Sequence, residues 1–510
     1  MLKIKRWGDL IISAGIILEL ALWPSVDNLA GCAMTGICWL VFSRTALDER
    51  IIREHLFGWL VFLSMSLYRI LPLFATMTES HPIGYNFVIP KHTYLGETVF
   101  YLISALAFNL AVRRPNPLCG LKRLYFRCGF YDRASSTVIW ALGILGLAVR
   151  LYLSSNDVEY GDIVNKSLSG ITFFQYAPIL LFFPDLYKKE TTGKVFAYNT
   201  FSLLYLIMLV ILSFATNSRY AIIEPFGTFA LLFVASYLNC PRDIRPAIRK
   251  RYVIGGTVLV VFLIPVLSDI SLAMLANRSI RDKVDRSELF RRTVDTYLDR
   301  NKMETLRNIE SKSDGELVFR NTGSKSWSET YVGNFALNRY CNLKVTDNTL
   351  YHAENVGFAD KRMRDDFWKE VVAILPTPIL QFLDIDYDKN LRLSRGDKLK
   401  ALSSNRHPTP SYLVTSHLAD GLVTFGYWYF PVEFLLFFLR FLFLDTFMLR
   451  HGGRTYYSLF GLITIFSFLA MFRNAGGCCD SLFYLLRGYW QDMVLFIIVF
   501  YVSWKIFARK

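Results

Sequence analysis

The chain has 510 residues, 53% of them apolar and 16% aromatic, and its mean hydropathy is +0.31. Such a composition is too apolar for a soluble domain of this length, and it excludes a disordered, collagen-like or disulfide-stapled chain. The 57 Lys+Arg exceed the 42 Asp+Glu, giving a net charge of +15 with no accompanying nucleic-acid-binding signature. The question is where such a surplus can sit in a bilayer protein.

A hydrocarbon core about 30 Å thick needs roughly 20 mainly apolar residues per helix. Uncharged runs of that kind predict an all-α polytopic membrane protein of about 12 spans: 8–23, 29–43, 56–76, 97–112, 135–153, 170–184, 195–215, 220–237, 252–268, 425–444, 455–472 and 491–508. The first run is expected to stay as a span, since it is too long for a signal peptide and lacks a small-residue cleavage site. Positive charge is retained on the cytoplasmic side. With the N-terminus inside, alternate connections carry most of the Lys and Arg, among them Lys3, Lys5, Arg44, Arg50, Arg53, Arg113, Lys122, Arg133, Lys188, Arg245, Arg450 and Lys505. The opposite short connections hold only Lys91, Lys166, Arg219, Arg473 and Arg487. Both termini are therefore expected in the cytoplasm.

Three segments follow: helices one to nine in 1–268, a polar external loop in 269–424, and helices ten to twelve in 425–510. The loop is nearly balanced in charge and reads as partly helical, with helical spacing in 272–309 and again from Arg362 to Leu375, before Pro376 and Pro378. A Gly/Ser/Asn-rich stretch, Asp314 to Ser328, separates the two, and prolines 408 and 410 mark the return to the membrane.

Arg69, Arg150, Arg219, Arg473 and Arg487 all fall at the outer ends of spans, where positive-inside sorting does not place arginine. Guanidinium forks match phosphate oxygens bidentately, so these five are candidates for binding a lipid diphosphate. The plainer role for each is to snorkel to headgroups or to pair with a buried carboxylate. Candidate partners or proton carriers are Glu97, Glu224, Asp269, His417, Asp420, Glu433, Asp480 and Asp492, with His352, Glu354 and His407 in the loop. No Walker A, GxGxxG or HExxH pattern is present. Asp384-Ile385-Asp386-Tyr387-Asp388 imitates the start of a calcium loop, but Lys389 and Arg395 replace its glycine and glutamate, and it reads as a turn.

A dozen spans, the Asn217-Ser218-Arg219 turn, one long external loop and the re-entry sequence His417-Leu418-Ala419-Asp420-Gly421-Leu422-Val423-Thr424-Phe425-Gly426-Tyr427 together resemble the Wzy-type O-antigen and exopolysaccharide repeat-unit polymerases. His407, Leu413 and Gly421 are also similar to the re-entry region of the related O-antigen ligases, although Pro408 stands where those carry Asn. The resemblance implies an inverting glycosyltransferase of lipopolysaccharide or polysaccharide biosynthesis in the bacterial inner membrane. It would move a growing glycan from undecaprenyl diphosphate to the terminal sugar of a new lipid-linked repeat unit. It implies no cofactor, no metal and no nucleotide sugar; its partners would be lipid-linked oligosaccharides, the bilayer and a chain-length regulator. Under this resemblance Arg219, Arg473 and Arg487 bind diphosphate, Arg69 and Arg150 support them or serve the second carrier, and His417 or Asp420 is the base. Two other functions fit less well. A lipid-oligosaccharide flippase usually has paired halves with short external connections. A transferase using a polyprenyl-phosphate sugar carries an acidic motif in a sizeable first external loop, and here that loop is only residues 24–28.

Overall fold

A computed structural model describes residues 2–155, 168–188, 193–215, 219–240, 269–270, 272–274, 276–277, 286–306, 327, 331–385, 393–409, 411–451 and 454–507. The expected ninth span (252–268), residues 156–162, the turn 216–218 and most of 314–328 lie outside them, as do Asp386 to Asp388 of the calcium-like turn.

Helix dominates, as the apolar runs require. Helices α1 (Leu2–Leu22), α2 (Val26–Thr45), α3 (Leu56–Thr78), α4 (Pro90–Arg113), α5 (Ser136–Ser155), α6 (Thr200–Ala215) and α7 (Arg219–Asn239) form the first half. The 269–424 segment contributes α8 (Lys344–Val356), α9 (Lys361–Ala373) and α10 (Arg395–Ser404). The chain returns through α11 (His417–Phe425) and α12 (Tyr429–Leu444), and a long final helix, α13, spans Asp480–Phe507. Among the described residues six helices are long and apolar enough to cross a bilayer: α2, α3, α4, α5, the 221–239 part of α7, and α13. Among the described residues the protein is thus an all-α membrane protein apart from one hairpin.

Two expected spans take other forms. Residues 170–184 hold a 3-10 helix, Thr172–Phe182, with Pro178 inside it. It lies hard against α5 because Gly146 has no side chain: a Cβ there would come within 2.2 Å of the Gln175 backbone nitrogen. Residues 455–472 do not form one helix. Met448–His451 and Arg454–Tyr457 pair as an antiparallel hairpin, and two short helices follow, Leu459–Ile463 and Ile465–Leu469. Ser458 caps the first piece by accepting from Gly461 N–H, and that piece ends at Thr464, whose N–H and Oγ1 both donate to Phe460 O.

Polar groups gather at two ends. At one, the Asp445 carboxylate meets His55 (2.9 Å), Lys122 (2.6 Å) and Arg450 (3.1 Å), while Tyr457 Oη donates to Arg53 O and Arg133 to Leu186 O. At the other, Glu79 accepts from Gly333 and Asn334 N–H, Tyr331 Oη donates to Ile83 O, and Glu19 accepts from Ile83 N–H. Asp347 of α8, fully buried, accepts from Val88 and Ile89 N–H and so caps the start of α4, with Lys344 (2.7 Å) neutralising it. Residues 331–356 are thereby fastened to the 79–93 connection.

Candidate functional site

Between the two short helices and α13 the backbone is irregular, yet it runs deep inside the protein. Phe472 O accepts from Ser64 Oγ in the middle of α3, and Asn474 reaches Glu97 of α4. Non-helical backbone at membrane depth is tolerated only where it is buried in protein or lines a cavity, and this segment does both. Facing it, the chain returning from the loop dips inward. Ser416 forms an isolated antiparallel bridge with Ala475 and caps α11 through Ala419 N–H. Gly426, at φ +59, then reverses the chain into α12.

The dip sets His417 at the first position of α11, 3% exposed, stacked on Phe472 (5.2 Å) and near Phe100 (6.3 Å). Phe100 lies ten residues into α4, about 15 Å along that helix from its start. His417 Nε2 is 3.8 Å from Asp480 Oδ2. Burial pushes the imidazole below its ordinary value, the Asp480 charge opposes this, and Arg440 reinforces it. Asp480 itself is 59% exposed and lines a cleft of about 440 Å³ with Glu370, Ser394, Arg395, Thr415 and Gly476. One wall is apolar, with Ile374, Tyr412, Val414 and Phe483. A polar floor against an apolar wall suits an amphiphile.

Arg487 stands at the cleft margin. It lies in a π-helical turn, Tyr484–Gly488, a feature often found at functional sites. Its Nη1 donates to Ile374 O (3.0 Å), its Nε to Gln491 (3.0 Å), and its Cζ lies 5.9 Å from the Phe483 ring centroid. Ile374 and Phe483 both line the cleft, so the remaining guanidinium hydrogens have phosphate-binding capacity beside it.

The other expected residues are distributed differently. Asp420 is fully buried and both its oxygens are engaged: Oδ1 accepts from Arg395 Nε (2.8 Å) and Nη2 (2.6 Å), Oδ2 from Cys478 N–H (2.9 Å). A carboxylate so held is an anchor, which corrects its assignment as a base. Arg69 is likewise sealed, with no exposed surface. It pairs with Glu97, donates to Met65 O (2.7 Å) and lies over the Phe100, Tyr101 and Phe472 rings. It therefore supports the site from behind and has no surface to offer a diphosphate. Arg150 bonds Gln175 (2.7 Å) and Ser213 (3.2 Å), in a group of side chains away from the cleft lining. Arg473 is exposed, next to Asn474, and its charge acts on Tyr68 and Tyr340. Arg219 opens α7, and its side chain lies outside the described residues. Of the four whose side chains are described, Arg69, Arg150, Arg473 and Arg487, only Arg487 borders the cleft.

Two residues that carry the arrangement were not singled out in the sequence. Arg395 uses its whole guanidinium to bind Asp420, Thr424 (2.5 Å), Met363 O (2.7 Å) and Asp366 (3.3 Å), tying α10, α9 and α11 together. It is one arginine among many in the loop, and no spacing marks it. Gly476 was more legible, since the Gly476-Gly477 pair marks the break between two apolar runs. No protein family, curated protein or solved structure compared with this chain matches it significantly.

Proposed function

We propose that the chain is a multi-pass membrane glycosyltransferase, a polymerase of lipid-linked oligosaccharide repeat units of the kind its sequence resembles. The observation that carries this reading is the meeting of His417, Asp480 and Arg487 around one cleft, polar on its floor and apolar on one wall. An acceptor hydroxyl entering the cleft attacks the anomeric carbon of the donor sugar. The bond from that carbon to the diphosphate oxygen breaks, the electron pair leaves on the phosphate, and inversion results. The hydroxyl proton passes to the Asp480 carboxylate, beside His417 Nε2 at 3.8 Å. The Arg487 guanidinium faces the charge that develops on the leaving diphosphate.

The topology belongs to the same proposal: about 12 spans, both termini cytoplasmic, in a bacterial inner membrane. Segments 46–55, 113–135, 184–188 and 445–457, rich in Lys and Arg, meet at one end around Asp445, which supports taking that end as cytoplasmic. The cleft then faces outward, where undecaprenyl-diphosphate-linked units would be presented.

The test is a deletion strain complemented with Asp480→Asn, His417→Ala or Arg487→Ala, with expression confirmed. Single repeat units capping the surface lipid are expected. Wild-type chain length in all three sinks the site assignment; complete absence of surface glycan in the deletion strain indicates export or repeat-unit assembly instead.

A further inference from the structure

The external part of the protein carries a second, wider cavity of about 770 Å³, bounded by α8, α10 and the segment that follows α10. Its walls include Trp327, His352, Lys400, Ser403, Asn405 and Arg406. The carboxylate on the wall, Asp397, is already engaged, accepting from the backbone N–H groups of Ser411, Tyr412 and Leu413. Among the described residues, neither the Lys400 ammonium nor the Arg406 guanidinium has an ion-pair partner. With Lys400 and Arg406 set against the single Asp397 carboxylate, the lining carries a net positive charge. Its other polar groups include the hydroxyls of Ser403, Ser404, Thr409 and Ser411, the Asn405 amide and the His407 imidazole.

His352 adds an unsatisfied group. It is 3% exposed; its Nδ1 bonds Ser403 Oγ (2.9 Å), its Nε2 has no partner, and its ring is stacked on Trp327 at 5.0 Å. A buried polar atom without a partner needs an account. Burial, with Lys400 and Lys344 nearby, pushes this imidazole down to about 4, so it stays neutral at physiological pH. A neutral imidazole beside an indole, with hydroxyls around it and two cations at the rim, suits a sugar ring that carries an acid group.

We infer that this cavity binds an acidic oligosaccharide, placing a sugar carboxylate between Lys400 and Arg406 and sugar hydroxyls on Ser403, Asn405 and Thr409. The choice of a glycan as ligand rests on the polymerase reading; the choice of an acidic one rests on the unpaired cations. The cavity would then select for a carboxylated sugar in the growing chain from a position next to the bond-forming cleft, with Leu413 lining both.

The experiment uses full-length protein in phospholipid nanodiscs, titrated with trigalacturonate, with its neutral galactose counterpart and with inorganic phosphate. Saturable trigalacturonate binding is expected, at least tenfold tighter than the neutral trimer and weakened at least tenfold in the Lys400→Gln/Arg406→Gln variant. Arg406 is exposed and Lys400 half-buried, and circular dichroism of the variant checks its fold. Equal binding of the two trimers, or none of either, overturns the proposal, as does phosphate displacing the uronate at equal concentration. Surface-glycan chain length separates this inference from the polymerase reading. If Asp480→Asn retains full chain length while trigalacturonate still binds, the polymerase reading alone fails. If elongation is lost but wild-type protein ignores trigalacturonate, the acidic-sugar inference alone fails.

Discussion

His417 and Asp480 face each other across the α-carbon of Gly476: a Cβ added there would lie 2.7 Å from both His417 Nε2 and Asp480 Oδ2. No side chain fits between them, so Gly476→Ala must push the imidazole and the carboxylate apart. Loss of long-chain glycan is expected from this one methyl group, with protein level unchanged on an immunoblot. Gly477→Ala, whose Cβ would lie 3.3 Å from Asp420 Oδ2, should be the milder of the two.

Asp420 and Asp480 should separate stability from elongation. Asp420 is buried against Arg395, and removing one partner of such a pair typically costs about 3–5 kcal/mol. Asp420→Asn keeps the shape but loses the charge, so it should lower the thermal unfolding midpoint of detergent-purified protein. Asp480→Asn, at an exposed position, should leave the midpoint within error and abolish chain growth. The reverse pattern would exchange their roles.

The Arg69–Glu97 pair makes a third case. Glu97 Oε1 also accepts from Thr346 Oγ1 (2.5 Å) and Asn474 Nδ2 (3.2 Å), so one carboxylate joins α3, α8 and the irregular 470–479 segment. Arg69→Met or Glu97→Leu alone should destabilise by several kcal/mol, since each leaves a buried charge unmatched. The double substitution should recover much of the loss. A double-mutant cycle on unfolding midpoints reads the coupling, and additive effects would contradict it.

The pH dependence of stability has a contribution of defined sign from His352. Its folded value is about 4, lowered by burial and by Lys400 and Lys344, whereas an unfolded histidine titrates near 6.5. Between those values the unfolded chain binds a proton that the folded one does not, so stability rises with pH across that window. The contribution is complete above pH 6.5 and is lost as pH falls towards 4, with a ceiling of about 3 kcal/mol. Melting curves between pH 4 and 7 should be flatter for His352→Gln than for wild type.

The apolar runs made the long helices legible, because a bilayer demands length and hydropathy and little else. Spans at 56–76 and 97–112 match α3 and most of α4 for that reason. The 455–472 run has the hydropathy but not the geometry. Hydropathy is blind to Ser458, whose hydroxyl caps a new helix start, and to Thr464, where that short helix ends. In the site, residue chemistry was visible and partnership was not. His417, Asp420 and Asp480 all stood out as ionisable groups near the membrane, but that Asp420 belongs to Arg395, 25 residues earlier, is a tertiary fact. The place of the arginines at the ends of apolar runs was readable; the directions in which Arg69, Arg150, Arg473 and Arg487 face were not, since rotation about a helix axis is set by packing.

The bond from Asn474 to Glu97 joins residues 377 positions apart. A ribosome making this chain delivers Glu97 and Arg69 early and Asn474 almost last. Until then the intramembrane ion pair lacks one of its three supports, and the cleft has no floor. Completion is thus a single late event, in which the final hundred residues seal a bundle already inserted. A chain halted before residue 474 would be more than inactive: it would expose a half-solvated charge pair to the lipid, the kind of flaw that membrane proteases find. Supplying residues 411–507 as a separate polypeptide should, by the same logic, rescue such a truncated protein from degradation.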